Sequence, residues 1–173
     1  PVKAALYAPS AAIVNPWEYA IALAENAVEN GAQVRLSSAV TGAERTEQGW
    51  LLHTKTGDVE ARFVVNAAGV RAGEVHEMAA PRSFETHPCR GEYYLLDKCE
   101  GTRVSHVIFQ CPNKLGKGVL VSPTVHGNLI VGPNADDANS VANTPSGPAF
   151  VAETARKSVP DVDLRQNIRQ NLN

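Results

Sequence analysis

Cysteine is scarce in this sequence. The three thiols, Cys89, Cys99 and Cys111, are an odd count without the CxxC or His-interleaved spacing of a zinc site or redox pair. They read as reduced thiols filling small apolar positions in a core. An excess of one charge is lacking too. Sixteen Lys plus Arg against eighteen Asp plus Glu leave a net charge of -2, with no basic surplus to meet a phosphate backbone, so nucleic acid is not expected as a partner. Apolar runs such as 4–7 and 63–65 fall far short of the roughly 20 residues that span a bilayer. No basic stretch followed by an apolar one marks a secretory leader. The expectation is a cytoplasmic protein with no transmembrane segment. Thirteen Gly and eleven Pro in 173 residues are too few and too scattered for a collagenous or low-complexity chain.

Several catalytic signatures are also absent. There is no GxGxxG, so the chain carries no dinucleotide fingerprint of its own. The five histidines, His53, His76, His87, His106 and His126, form no HExxH and no close pair, so no metal site is expected. Ser10, Ser122 and Ser158 sit in no GxSxG elbow. Gly116-Lys117-Gly118 resembles a phosphate loop only superficially. A Walker A motif ends in GK[ST] ahead of a helix, whereas here the strand-like Val119-Leu120-Val121 follows.

What is present suffices for an ordinary core: 43% of the residues are hydrophobic, in a chain of single-domain length. The spacing predicts a helix over 16–30, with Asn15 as its cap, an apolar stripe of Tyr19, Leu23 and Ala27 beside Ala20, Ala24 and Val28, and Gly31 as its stop. A strand is expected over 33–40. Three short alternating strands, 41–46, 49–54 and 58–63, then suit an antiparallel meander. The last runs into Phe63-Val64-Val65-Asn66, which reads as a strand buried on both faces, ending in Ala67-Ala68-Gly69 before a helix over 72–79. After a connector at 81–88, strands are expected at 91–96, 103–111, 118–122 and 128–131, with a turn at His126-Gly127-Asn128. A surface loop covers 138–148, a helix 149–159 is stopped by Pro160, and the polar stretch 161–173 begins a further helix. The order implies a chain passing from α/β to α+β, with two sheets.

Two segments could carry chemistry. Val64 to Gly69 ends a buried strand in small residues, which lets the backbone approach a bulky ligand and leaves its N–H groups free to bind it. Equally, small residues there let the following helix pack closely. Pro88-Cys89-Arg90-Gly91-Glu92-Tyr93-Tyr94 puts Arg90 at the start of a strand, where its guanidinium could grip an anion or join a surface ion pair. On that strand Glu92, Tyr94 and Leu96 share one face, and Tyr93 and Leu95 the other.

Taken in order, Val14-Asn15-Pro16, Asn30-Gly31-Ala32-Gln33-Val34, Val40, Val64-Val65-Asn66-Ala67-Ala68-Gly69, Pro88-Cys89-Arg90-Gly91-Glu92-Tyr93-Tyr94 and Gly132-Pro133-Asn134-Ala135 resemble the middle of FAD-dependent oxidoreductases of the D-amino-acid-oxidase superfamily. Within it the glycerol-3-phosphate dehydrogenases and L-2-hydroxyglutarate oxidases are most similar. The resemblance implies an internal fragment, with a glycine-rich βαβ unit before it and a second flavin-contacting segment after it. The fold it implies is part of a Rossmann-like FAD domain with a three-stranded meander over 1–80, a mixed, largely antiparallel substrate-domain sheet over 81–148, and a helix opening a further segment over 149–173. FAD is the implied cofactor. Val40 resembles the residue whose backbone meets the adenine, and Asn66, Ala67, Ala68 and Gly69 the turn along the diphosphate and ribose. Arg90 and Gly91 match the start of the substrate strand. The implied substrate is a small anionic secondary alcohol, and no residue identifies the electron acceptor or the catalytic base. The hydroxyglutarate branch has a His where this chain has Val119-Leu120-Val121-Ser122. The alternatives are an L-2-hydroxyglutarate or amino-acid oxidase of the same superfamily, or a non-catalytic module binding a small anion or a partner.

Overall fold

The computed structural model describes residues 3–112, 118–137, 140, 142 and 144–170. The discounted phosphate-loop pair Gly116 and Lys117, residues 138, 139, 141 and 143 of the expected loop, and 171–173 of the expected terminal helix lie outside the described residues. The chain divides into two compact units, Pro1–Glu25 with Cys89–Asn173, and Asn26–Pro88.

Helix α1 (Pro16–Glu29) forms where expected. Asn15 caps it, its Oδ1 accepting from the N–H groups of Trp17 at 3.0 Å and Glu18 at 3.3 Å. Gly31, at a φ of +92°, closes it. Its N–H donates to the Val28 carbonyl while that of Ala32 reaches back to Ala27, both at 2.9 Å, the paired bonds of a Schellman stop. The apolar stripe does not bury itself: no residue of α1 is buried, and Trp17 is 64% exposed.

The smaller unit holds the meander. Strands β1 (Val40–Arg45), β2 (Trp50–Thr54) and β3 (Val59–Ala61) pair in sequence order, all antiparallel. The Arg45 guanidinium stacks 5.0 Å from the centre of the Trp50 ring. The strands expected over 33–39 and 63–66 do not form. A strand exists only with a partner for its N–H and C=O groups, and the described residues offer these stretches none. Phe63 and Val65, expected to be buried on both faces, are 85% and 88% exposed. Helix α2 (Ala72–Glu77) follows, then the irregular connector.

The larger unit holds β4 (Cys89–Arg90), β5 (Tyr94–Leu96), β6 (Leu120–Pro123), β7 (Leu129–Gly132), β8 (Asp136–Asp137), α3 (Ser146–Ser158) and β9 (Asn167–Gln170). Four strands form a sheet in the order β6-β7-β5-β9, while β4 pairs with β8; every pairing is antiparallel. The strand expected over 91–96 is therefore broken, because the Glu92 N–H leaves the ladder and donates to the Asn134 side chain. The 103–111 strand reduces to a single bridge, Ile108 to Val121. Arg103 instead curls back onto Glu100, with Nη2 at 2.6 Å from Oε1. The terminal stretch becomes the edge strand β9 rather than a helix, and α3 starts earlier than expected, with Pro148 tolerated in its first turn.

One face of the four-stranded sheet packs on α3. Leu96, Val121, Leu129 and Val131 meet Val151 and Ala155, all fully buried, with Val162 and Leu164 closing the end. The alternation assigned to β5 holds: Leu96 is buried beneath α3 with Tyr94 packed beside it, while Leu95 faces away. The cysteines are a correction, since all three are free but exposed rather than buried. Among the described residues no helix is long and apolar enough to cross a membrane.

Candidate functional site

In the smaller unit, β1, β2, the 64–68 stretch and α2 surround a cavity of about 600 Å³. Its wall brings together Val40, Asn66, Ala67 and Ala68, four of the five residues marked as cofactor-facing, from segments far apart in sequence. Gly69 is not part of the wall and adopts a φ of +58° where the turn enters α2. Asn66 sets the shape of this turn. Its Oδ1 accepts from the Ala68 N–H at 3.2 Å and its Nδ2 donates to the Ala72 carbonyl at 2.8 Å. Alanines, Ala39, Ala43, Ala67 and Ala68 among them, alternate in the wall with the bulkier Trp50, Leu52 and Met78, and Arg71, Glu74 and His76 supply polar edges.

In the larger unit, Arg90 and Gly91 stand at the edge of a polar cluster that sequence reasoning did not assemble. The Arg90 Nη1 donates to the carbonyls of Ser140 at 3.1 Å and Ala142 at 2.7 Å. Its Nε is buried and has no partner among the described residues, and no ion pair there neutralises its charge. Gly91 packs closely on Pro133, whose Cβ would lie 2.7 Å from any Cβ added there.

Glu92 is only 1% exposed, and a buried carboxylate is costly unless donors surround it. Here they do. Thr144 gives its N–H to Oε1 at 2.5 Å and its hydroxyl to Oε2 at 3.0 Å, and the Asn134 Nδ2 reaches Oε2 at 2.8 Å. Burial pushes the Glu92 carboxyl up, but the donors from Thr144 and Asn134, with the nearby Arg90 charge, outweigh it and hold the group below the ordinary carboxylate value. Asn134 is itself nearly saturated, accepting from the Glu92 N–H at 2.6 Å and donating to Asp136 Oδ2 at 2.8 Å. The carboxylate lies at the first turn of α3, which has no side-chain cap of its own on Pro145. It sits against Gly147, where a Cβ would collide with the Glu92 carboxylate.

A second cavity of the larger unit, about 420 Å³, opens on the other face of the sheet between Tyr93, Leu95 and Ile130 and the start of α1. His126 closes one side, its Nε2 lying 2.8 Å from the Asn15 Nδ2. The sequence marked neither this cavity nor the Glu92 cluster. Asn134 lies within Gly132-Pro133-Asn134-Ala135, where local spacing gives it no role, and the Glu92 partner of Thr144 lies 52 residues away, beyond any local pattern. Among the described residues no three His, Cys, Asp or Glu side chains could hold a metal ion.

Residues 1–171 match the family described as FAD dependent oxidoreductase, DAO. The chain is 47% identical to a glycerol 3-phosphate dehydrogenase of Caloramator mitchellensis over 96% of its own length and 35% of that protein's. It is 27% identical to a glycerol 3-phosphate oxidase of Mycoplasma pneumoniae over 82% of its length and 39% of the relative. It therefore spans little more than a third of the length of these curated relatives. Among solved structures, the L-alpha-glycerophosphate oxidase of Mycoplasma pneumoniae with FAD bound superposes at a TM-score of 0.71 and 25% identity, over 86% of this chain and 41% of that one.

Proposed function

The chain belongs to the DAO family of FAD-dependent oxidoreductases, and from that premise we propose that the whole protein oxidises a small anionic secondary alcohol of the glycerol 3-phosphate kind. The observation that carries this reading is the cavity that gathers Val40 with Asn66, Ala67 and Ala68. Its volume, about 600 Å³, lies within the range of small-molecule sites, and the small side chains of Ala67 and Ala68 suit close approach of part of a dinucleotide. Val40 and the turn from Asn66 to Ala68 would hold FAD there, the first by backbone contact with the adenine and the second along the diphosphate and ribose, with Gly69 ending that turn outside the wall. When bound, the flavin would supply the two-electron acceptor for hydride transfer.

The chain's own residues bind and orient. Residues 1–80 contribute to the FAD-binding part and 81–148 to the substrate sheet, with α3 and β9 completing the latter. Arg90 is the proposed grip on the substrate's phosphate. Its buried Nε–H has no acceptor among the described residues, and a phosphate oxygen would satisfy both this donor and the charge. The strand β6 and the residue before it carry Val119, Leu120, Val121 and Ser122 with no His, which favours glycerol 3-phosphate over a hydroxyglutarate.

Two measurements test this. Anaerobic addition of glycerol 3-phosphate to the FAD-loaded whole protein is expected to bleach the flavin absorption band; bleaching by a 2-hydroxy acid alone would reassign the substrate. Arg90→Ala is expected to raise KM for glycerol 3-phosphate about tenfold or more, the effect of losing a charge-assisted pair. An unchanged KM would leave Arg90 as a latch for the Ser140 and Ala142 carbonyls alone.

A further inference from the structure

Arg90 does not hold its own position. Its side chain ends on two backbone carbonyls, Ser140 and Ala142, neither of which is in a helix or strand. A guanidinium on a long, rotamer-rich side chain is directed only as well as its partners are fixed. Two residues after Ala142, Thr144 is tied through both its N–H and its hydroxyl to Glu92, and its hydroxyl also receives the Gly147 N–H at 2.9 Å. Glu92 in turn is locked by Asn134 on both its backbone N–H and its carboxylate.

We propose that Glu92 is a positioning residue for substrate binding: by anchoring Thr144 it fixes the Ser140 and Ala142 carbonyls, and these aim the Arg90 guanidinium at the substrate's anionic group. The inference rests on the reading of Arg90 as that grip. Glu92 touches no substrate atom in this scheme. Its two-residue spacing from Arg90 on the same stretch lets one short segment supply both the grip and the anchor of the loop that aims it.

The test uses the FAD-loaded whole protein, with steady-state kinetics on glycerol 3-phosphate and calorimetric titration with inorganic phosphate. Glu92→Gln turns one carboxylate oxygen into an NH2, so a donor then faces either the Asn134 Nδ2 or the Thr144 donors, and the anchor is weakened. Thr144→Val removes the hydroxyl that donates to Glu92 and accepts from Gly147 while keeping the Thr144 N–H on Glu92, and keeps the proposal testable if Glu92→Gln does not fold. Each is expected to raise KM severalfold, up to about tenfold, with a far smaller change in kcat, and to weaken phosphate binding in parallel. The double variant Arg90→Ala with Glu92→Gln is expected to bind no worse than Arg90→Ala alone, since residues acting through one contact are not additive. Independent, multiplying effects in the double variant, or an unaltered KM in Thr144→Val, would overturn the proposal while leaving Arg90 as the grip. An unaltered KM in Arg90→Ala would instead overturn the underlying reading and this inference with it.

Discussion

His53 shows how two carboxylates can fix the charge of one ring. Its Nδ1 lies 3.0 Å from Asp58 Oδ1 and its Nε2 3.1 Å from Glu44 Oε1, so both nitrogens face acceptors, an arrangement complete only for imidazolium. The hydrogen bond to Asp58, then that to Glu44, holds the His53 pKa above its ordinary value of 6.5. A raised folded-state value means stability that is fully present below the unfolded pKa, about 6.5, and is lost as pH rises through the higher folded one. Hydrogen exchange of the β2 amides is expected to quicken over that window beyond the intrinsic pH dependence, and His53→Gln to abolish the excess. Equal slopes in the two proteins would show that the pair contributes nothing to the meander. The same scale sets what the sequence could disclose about the candidate site. Arg90 and the Asn66 to Gly69 turn were visible because type and local spacing mark them, whereas Glu92 reads as one more alternating strand residue until its partners Asn134 and Thr144 are brought to it.

At the level of elements, ends were more legible than partners. Asn15 and Gly31 bound α1 through hydrogen bonds made within a few residues, and the three strands of the meander are joined by tight turns. The stretches 33–39 and 63–66 have strand composition but need distant partners, and composition cannot supply them. The start of α3 is half of each kind: the Thr144 hydroxyl accepts from the Gly147 N–H three residues on, while the carboxylate packed against that turn, Glu92, is distant in sequence. Gly147 is the residue that permits this close approach. Gly147→Ala forces the Cβ against the Glu92 carboxylate and is expected to cost about 1–3 kcal/mol, the usual penalty of overpacking. Chemical denaturation measures this. A loss no larger than that of an exposed helical substitution would mean that the carboxylate moves aside freely.

Across the whole molecule, apolar burial is uneven. Among the described residues, all ten of the buried core run from Leu96 to Leu164, while α1 keeps none and Phe63 and Val65 stand open. Hydrophobic periodicity identified α1 as one-sided but not what covers that side, which is why its stripe was legible and its exposure was not. Stability should accordingly be concentrated where the core is. Leu129→Ala, deleting a fully buried side chain at the centre of the four-stranded sheet, is expected to cost about 2–5 kcal/mol, read as a lower denaturation midpoint. A cost below about 1 kcal/mol would mean that the site collapses around the deletion.

The stacking of Arg45 on Trp50 has an optical consequence. The chain has two tryptophans, and they fall in different compact units, Trp17 in the larger and Trp50 in the smaller. Trp17 stands largely in water, whereas Trp50 has the Arg45 guanidinium 5.0 Å from the centre of its ring. Each unit therefore carries its own indole, and replacing either with Phe leaves a fluorescence reporter confined to the other unit.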